Sequence, residues 1–233
     1  MIALAEAGEL KGRRVLISGG GSGFGRAMAI AFSAEGALVA VGGRRLDRLE
    51  ETSRASGGKV WGIPADVRDP AQVSRLFGLL RERWRGLDVL VNNAAVLEPA
   101  ALAGCPLDSW QAVLATNLTG PFLMTQAALA LMGPGARIVN VTSGLGFFPM
   151  APYGAYCVTK AGLNMLSRVL ALELDERGIL VNTVDPGVGR TEMNPEAQEP
   201  PEKVVPIVRT LAALPPGSPT GRFFKKSGEE IPV

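Results

Sequence analysis

Short apolar, β-branched runs alternate with longer helix-forming stretches along this whole chain, and that alternation restricts the fold more than any other feature. The runs fall at residues 14–18, 38–41, 59–63, 89–91, 137–141 and 180–184, with a weaker one around Phe223 and Phe224. Most are apolar without a break, as strands buried on both faces of a parallel sheet must be. The helices between them would cover both faces. No Pro-, Gly- or Ser-rich linker and no internal repeat splits the chain, so the sequence predicts one α/β domain over residues 1–233: a doubly wound parallel sheet with helices on both faces.

Composition narrows what such a domain does. Its 233 residues suffice for a large buried core. The net charge is only +2 and the basic residues are scattered, which argues against nucleic acid or acidic lipid as a partner. Cys105 and Cys157 are the only cysteines, too few for a disulfide framework or a zinc cluster, and they fit a reducing compartment. The N-terminal stretch has no basic leader and no apolar run of membrane-spanning length, so the expected location is the cytoplasm, away from any membrane. With no histidine in the chain, His-based triads and His-ligated metals are excluded, and no metal site is expected. Any catalysis falls to tyrosine, lysine, serine or carboxylates.

Two features point to chemistry. The first predicted strand runs into Gly19-Gly20-Gly21-Ser22-Gly23-Phe24-Gly25 and a helix, a turn that lets backbone N–H groups approach a pyrophosphate. Further on, Tyr156 and Lys160 are four residues apart, with Ser143 thirteen residues before the tyrosine. On a helix, positions i and i+4 share a face, so the ammonium can sit beside the phenol and lower its pKa from the usual value of about 10. An isolated Tyr-x-x-x-Lys is commonly a solvated helix face. Here the company of the other motifs favours proton transfer.

Together these residues resemble the short-chain dehydrogenase/reductase family. Ser18-Gly19-x-x-x-Gly23-x-Gly25 is similar to its Thr-Gly-x-x-x-Gly-x-Gly turn, with serine in place of threonine. Asn92-Asn93-Ala94-Ala95 is similar to its Asn-Asn-Ala-Gly, with alanine last. The resemblance implies a Rossmann-type fold and a tetrad of Asn117, Ser143, Tyr156 and Lys160, in which Asn117 binds a water linking Lys160 to solvent. It also implies a cofactor site built from Gly19, Gly21, Ser22, Gly23, Phe24, Gly25, Asp66, Val67, Asn93, Ala94, Tyr156, Lys160, Pro186, Gly187, Gly189 and Thr191. Asp66 and Val67 would meet the adenine, and the segment from Pro186 to Thr191 would close over the nicotinamide. Gly189 stands where the family favours a branched apolar residue. A short, proline-rich substrate lid is expected at about 189–205.

At the end of the second strand, Gly43 occupies the place of the acid that accepts from the ribose of NAD, and Arg44 and Arg45 follow it. A guanidinium fork suits a 2′-phosphate, so NADP(H) is favoured over NAD(H). Ser22 stands where some members of the family carry a second basic residue. The expected reaction is an NADP(H)-dependent interconversion of a small-molecule carbonyl and an alcohol, with Tyr156 as general acid or base. The alternatives are a 3-oxoacyl-carrier-protein reductase-like enzyme and a non-catalytic NADP(H)-binding sensor.

For the substrate, Ser143, Leu145, Phe147, Tyr153 and Met193 are expected to line an apolar pocket, while Phe148 and Met150 suit packing equally well. The stretches 110–132 and 156–174 carry apolar side chains on more than one face. In the family the corresponding helices pair between subunits, which implies a homodimer or homotetramer.

Overall fold

A computed structural model describes residues 1–232. Eight strands form one sheet in the order β3-β2-β1-β4-β5-β6-β7-β8. The strands are β1 (Arg14–Ser18), β2 (Leu38–Gly43), β3 (Val60–Pro64), β4 (Val89–Asn92), β5 (Arg137–Val141), β6 (Leu180–Asp185), β7 (Phe223–Lys225) and β8 (Glu230–Ile231). Pairing is parallel from β3 through β7, and only β8 runs antiparallel, against β7. Strand order reverses between β1 and β4, so the crevice beyond their carboxyl ends is the natural ligand site of such a sheet. The predicted runs correspond to β1–β7, while β8 was not anticipated.

The helices are α1 (Gly23–Ala34), α2 (Leu46–Ala55), α3 (Pro70–Trp84), α4 (Leu107–Leu114), α5 (Gly120–Ala128), α6 (Gly154–Glu173) and α7 (Val205–Ala213). Side chains alternate across the sheet into two buried layers. Val15, Ile17, Val39, Val41, Val89 and Val91 pack on Met28 and Phe32 of α1 and Ile207 and Leu211 of α7. Leu16, Ala40, Leu90, Ile138 and Val181 face the other way, onto Leu76, Phe77 and Leu80 of α3 and Met124 of α5. A one-residue slip of any strand would exchange the layers, so burial fixes the register.

Local chemistry sets the helix ends. The Asp69 carboxylate accepts from the Ala71 and Gln72 N–H groups, and Pro70 opens α3 where no donor is needed. The stretch expected as one helix from 110 is instead α4 and α5 joined by a wider π-helical turn, Ala115–Thr119, which carries Asn117 inward. Among the described residues, no helix is long and apolar enough to cross a membrane.

Candidate active site

The glycine turn is locked to its neighbour strand. Ser18 Oγ accepts from the N–H groups of Asn93 at 3.0 Å and Ala94 at 3.1 Å, and Asn93 Nδ2 donates to the Ser18 carbonyl at 3.0 Å. Gly19 has φ +69°, and a Cβ on Gly25 would lie 2.3 Å from the Gly19 carbonyl oxygen. Neither position admits another residue without moving the turn. Ser22, at the N-cap of α1, makes no side-chain capping bond, which leaves the first-turn N–H groups available to an anion. These residues border a cleft of about 560 Å³ that runs to Tyr156 and Lys160 at one end and Arg44, Arg45 and Arg48 at the other.

At the first end, α6 presents Tyr156 and Lys160 from consecutive turns. The Lys160 ammonium lies 5.3 Å from the centroid of the Tyr156 ring and donates to the Val141 carbonyl at 2.9 Å. Lys160 is 2% exposed, and burial lowers its pKa to about 8, against a smaller opposing pull from Asp185. Burial also pushes the Tyr156 phenol up to about 12, opposed by the Ser143 hydroxyl and reinforced by Asp185. The sequence led to the opposite expectation for the phenol. Desolvation outweighs its polar neighbours here, and the ammonium is committed to Val141.

Asn117 is fully buried. Its Oδ1 accepts from the Val96 N–H at 2.8 Å, and its Nδ2 donates to the Val96 carbonyl at 2.9 Å and to Thr159 Oγ1 at 3.3 Å. The side chain therefore braces the segment after β4 against α6. Ser143 caps a short turn by accepting from the Leu145 N–H at 3.2 Å.

At the other end, Asp66 is held below the usual carboxylate range by the Arg68 guanidinium, which grips it at 2.6 Å. Glu192, from the segment after β6, reaches Arg45 at 2.6 Å, and this pairing lowers its pKa.

Of the expected cofactor residues, Gly19, Gly21, Ser22, Gly23, Phe24, Arg44, Arg45, Asp66, Val67, Asn93, Ala94, Tyr156, Lys160, Pro186 and Thr191 line the cleft. Gly25 supports the turn from behind, and Gly187 and Gly189 stand outside the lining. A Cβ on Gly189 would come within 2.5 Å of the Phe24 ring, so the unexpected glycine there makes room for that aromatic. Met193 lines the cleft, but Ser143, Leu145, Phe147 and Tyr153 do not. Phe147 packs edge-on against Phe223, with centroids 4.6 Å apart. Arg48, Glu98, Thr116, Thr142 and Glu192 border the cleft without having been anticipated. For Arg48 a signal was available: it is the third arginine in the short run Arg44-Arg45-Leu46-Asp47-Arg48.

The model of the short chain dehydrogenase family matches residues 13–202, the span that holds the glycine turn, Asn117, Ser143, Tyr156 and Lys160. This chain is a short-chain dehydrogenase. A sorbitol dehydrogenase of Cereibacter sphaeroides is 37% identical over 77% of this dehydrogenase and 71% of its own length. The 3-oxoacyl-[acyl-carrier-protein] reductase of a Synechocystis strain is 33% identical over 91% and 94%. Among solved structures, a short chain dehydrogenase from Burkholderia cenocepacia in complex with NADP superposes with TM-score 0.85 at 31% identity, covering 93% of this chain and 97% of that one. The dehydrogenase is thus an oxidoreductase acting on CH–OH groups with NAD(P).

Proposed function

We propose that this dehydrogenase interconverts a carbonyl and an alcohol with NADP(H) as its favoured cofactor and Tyr156 as proton donor or acceptor. One observation carries the reading: a single cleft joins the half-buried Tyr156 and the buried Lys160 to the arginines beyond β2. The turn from Gly19 to Gly25 suits the pyrophosphate, and Arg44 and Arg45 suit a 2′-phosphate. When bound, the nicotinamide supplies or accepts the hydride. The chain's own part is to manage the proton. With its pKa pushed up to about 12, Tyr156 is neutral at pH 7, the form needed to protonate the oxygen of a carbonyl being reduced. Ser143, beside the phenol, would hold the same oxygen. Lys160 bears a positive charge below about pH 8, which favours the developing phenolate. Asn117 would fix the segment at Val96 that forms one wall.

Val96, Leu97 and Met193 make that wall apolar, which suits an apolar or aromatic ketone or aldehyde. A second reading, a 3-oxoacyl-carrier-protein reductase-like activity, is favoured by the Synechocystis relative, which aligns over nearly the whole of both chains. The exposed stripe Val158, Met165, Val169 and Leu172 along α6 supports pairing of two or more copies. NADPH consumption scored against a carbonyl panel that includes an acetoacetyl thioester tests the function. Turnover of at least one carbonyl is expected; measurable NADPH binding with no turnover on any would leave only a nucleotide-binding protein.

A further inference from the structure

The segment after β6 meets the arginines beyond β2 through a carboxylate. Glu192 Oε2 lies 2.6 Å from Arg45 Nη2, and Oε1 lies 3.8 Å from Arg48 Nη2. The same Arg45 nitrogen also donates to Ser22 Oγ at 3.4 Å. All four side chains line the cleft. Glu192 is held there by its backbone: Thr191 and Asn194 exchange N–H to carbonyl bonds at 3.3 and 3.0 Å, and the Arg190 N–H donates to the Glu199 carbonyl at 2.7 Å. The Thr191 methyl sits over Gly23, where a Cβ would come within 2.9 Å of it. Arg44, by contrast, makes no ion pair within 4.0 Å among the described residues.

A carboxylate and a phosphate ask for the same guanidinium donors, and two anions on one fork repel. We infer that Glu192 is a specificity-determining residue for the cofactor: it holds on Arg45 the donors that a ribose 2′-phosphate would take, while Arg48 is bonded to Glu51 at 3.0 Å. A phosphorylated ribose must displace the carboxylate, and an unphosphorylated one need not. The inference rests on that part of the proposed function which puts the cofactor's adenosine ribose at these arginines. Its size is bounded by exposure, because the side chains of Arg45 and Glu192 are 51% and 48% exposed and water screens the pair.

Calorimetric titration of NADPH, NADH, 2′-AMP and 5′-AMP into wild type, Glu192→Gln, Arg45→Ala and the double variant tests it. Glu192→Gln should bind NADPH and 2′-AMP roughly twofold to fivefold more tightly, the range expected for an exposed ion pair, and leave NADH and 5′-AMP essentially unchanged. Most of that gain should vanish when Arg45 is already alanine. Unchanged or weaker NADPH binding by Glu192→Gln, in a wild type that prefers NADPH, would overturn the inference and leave the NADP(H) reading standing. A wild type that prefers NADH, with Glu192→Gln shifting toward NADPH, would uphold the inference and correct the reading. Equal affinity for both cofactors in every variant would overturn both.

Discussion

Replacing Lys160 with methionine should remove a pH dependence that the lysine imposes on folding. In the folded chain the ammonium is almost sealed from water, with the Val141 carbonyl as its hydrogen-bond partner, and titrates at about 8; unfolded, it titrates near 10.5. Between those values the unfolded chain binds the proton and the folded chain does not, so stability rises with pH across that window. Each unit is worth about 1.4 kcal/mol, so the two units between pH 8 and 10 contribute about 3 kcal/mol, to be treated as an order of magnitude. Methionine keeps much of the stem's volume and cannot titrate. Urea unfolding at pH 7, 8, 9 and 10 should therefore show wild type gaining about 2 to 3 kcal/mol relative to Lys160→Met over that range. Tyr156 does not disturb the comparison: it is present in both proteins, and its raised pKa costs stability only as pH climbs from about 10 toward 12. A difference between the two proteins that stays flat with pH, or shrinks as pH rises, would refute the reasoning.

Three other outcomes are expected. Arg44→Ala should weaken NADPH about tenfold or more while leaving NADH within about twofold, because a charge-assisted bond to phosphate is absent in NADH; equal losses in a titration would reject the 2′-phosphate assignment. Gly25→Ala would place a methyl 2.3 Å from the Gly19 carbonyl oxygen and 2.6 Å from Asn93 Nδ2. The turn must move, so cofactor affinity measured by titration should fall at least about tenfold and Tm should drop with it. Asp69→Ala removes the cap on α3 and should cost about 1 kcal/mol, a loss of roughly 2 to 4 °C in Tm, with cofactor binding untouched.

How much was legible depends on how local each signal is. The strands β1–β7 could be read because strands buried on both faces must be continuously apolar, whereas β8 is two residues, Glu230 and Ile231, paired only with β7 at the sheet edge. The glycine turn, Tyr156 and Lys160 could be read because each is a short motif with a fixed physical job. The wide turn at Ala115–Thr119 could not, since its apolar residues continue the helical pattern while only the hydrogen bonding shifts. Glu192 was missed because its partner Arg45 lies 147 residues away, and nothing in either neighbourhood announces the contact. Phe147 was assigned to the pocket on proximity to Ser143, but its ring found a partner in Phe223, another long-range contact. The direction of the Tyr156 shift depends on how deeply the fold buries the phenol, which spacing alone does not give.

The most direct test is the chemistry of Tyr156→Phe. The variant keeps the ring and its packing and loses only the hydroxyl, so single-turnover reduction of an accepted carbonyl should slow by roughly a hundredfold to ten-thousandfold, the usual contribution of a positioned acid. NADPH affinity should stay within about twofold. Reduction at close to the wild-type rate, with NADPH bound normally, would mean that the proton comes from elsewhere.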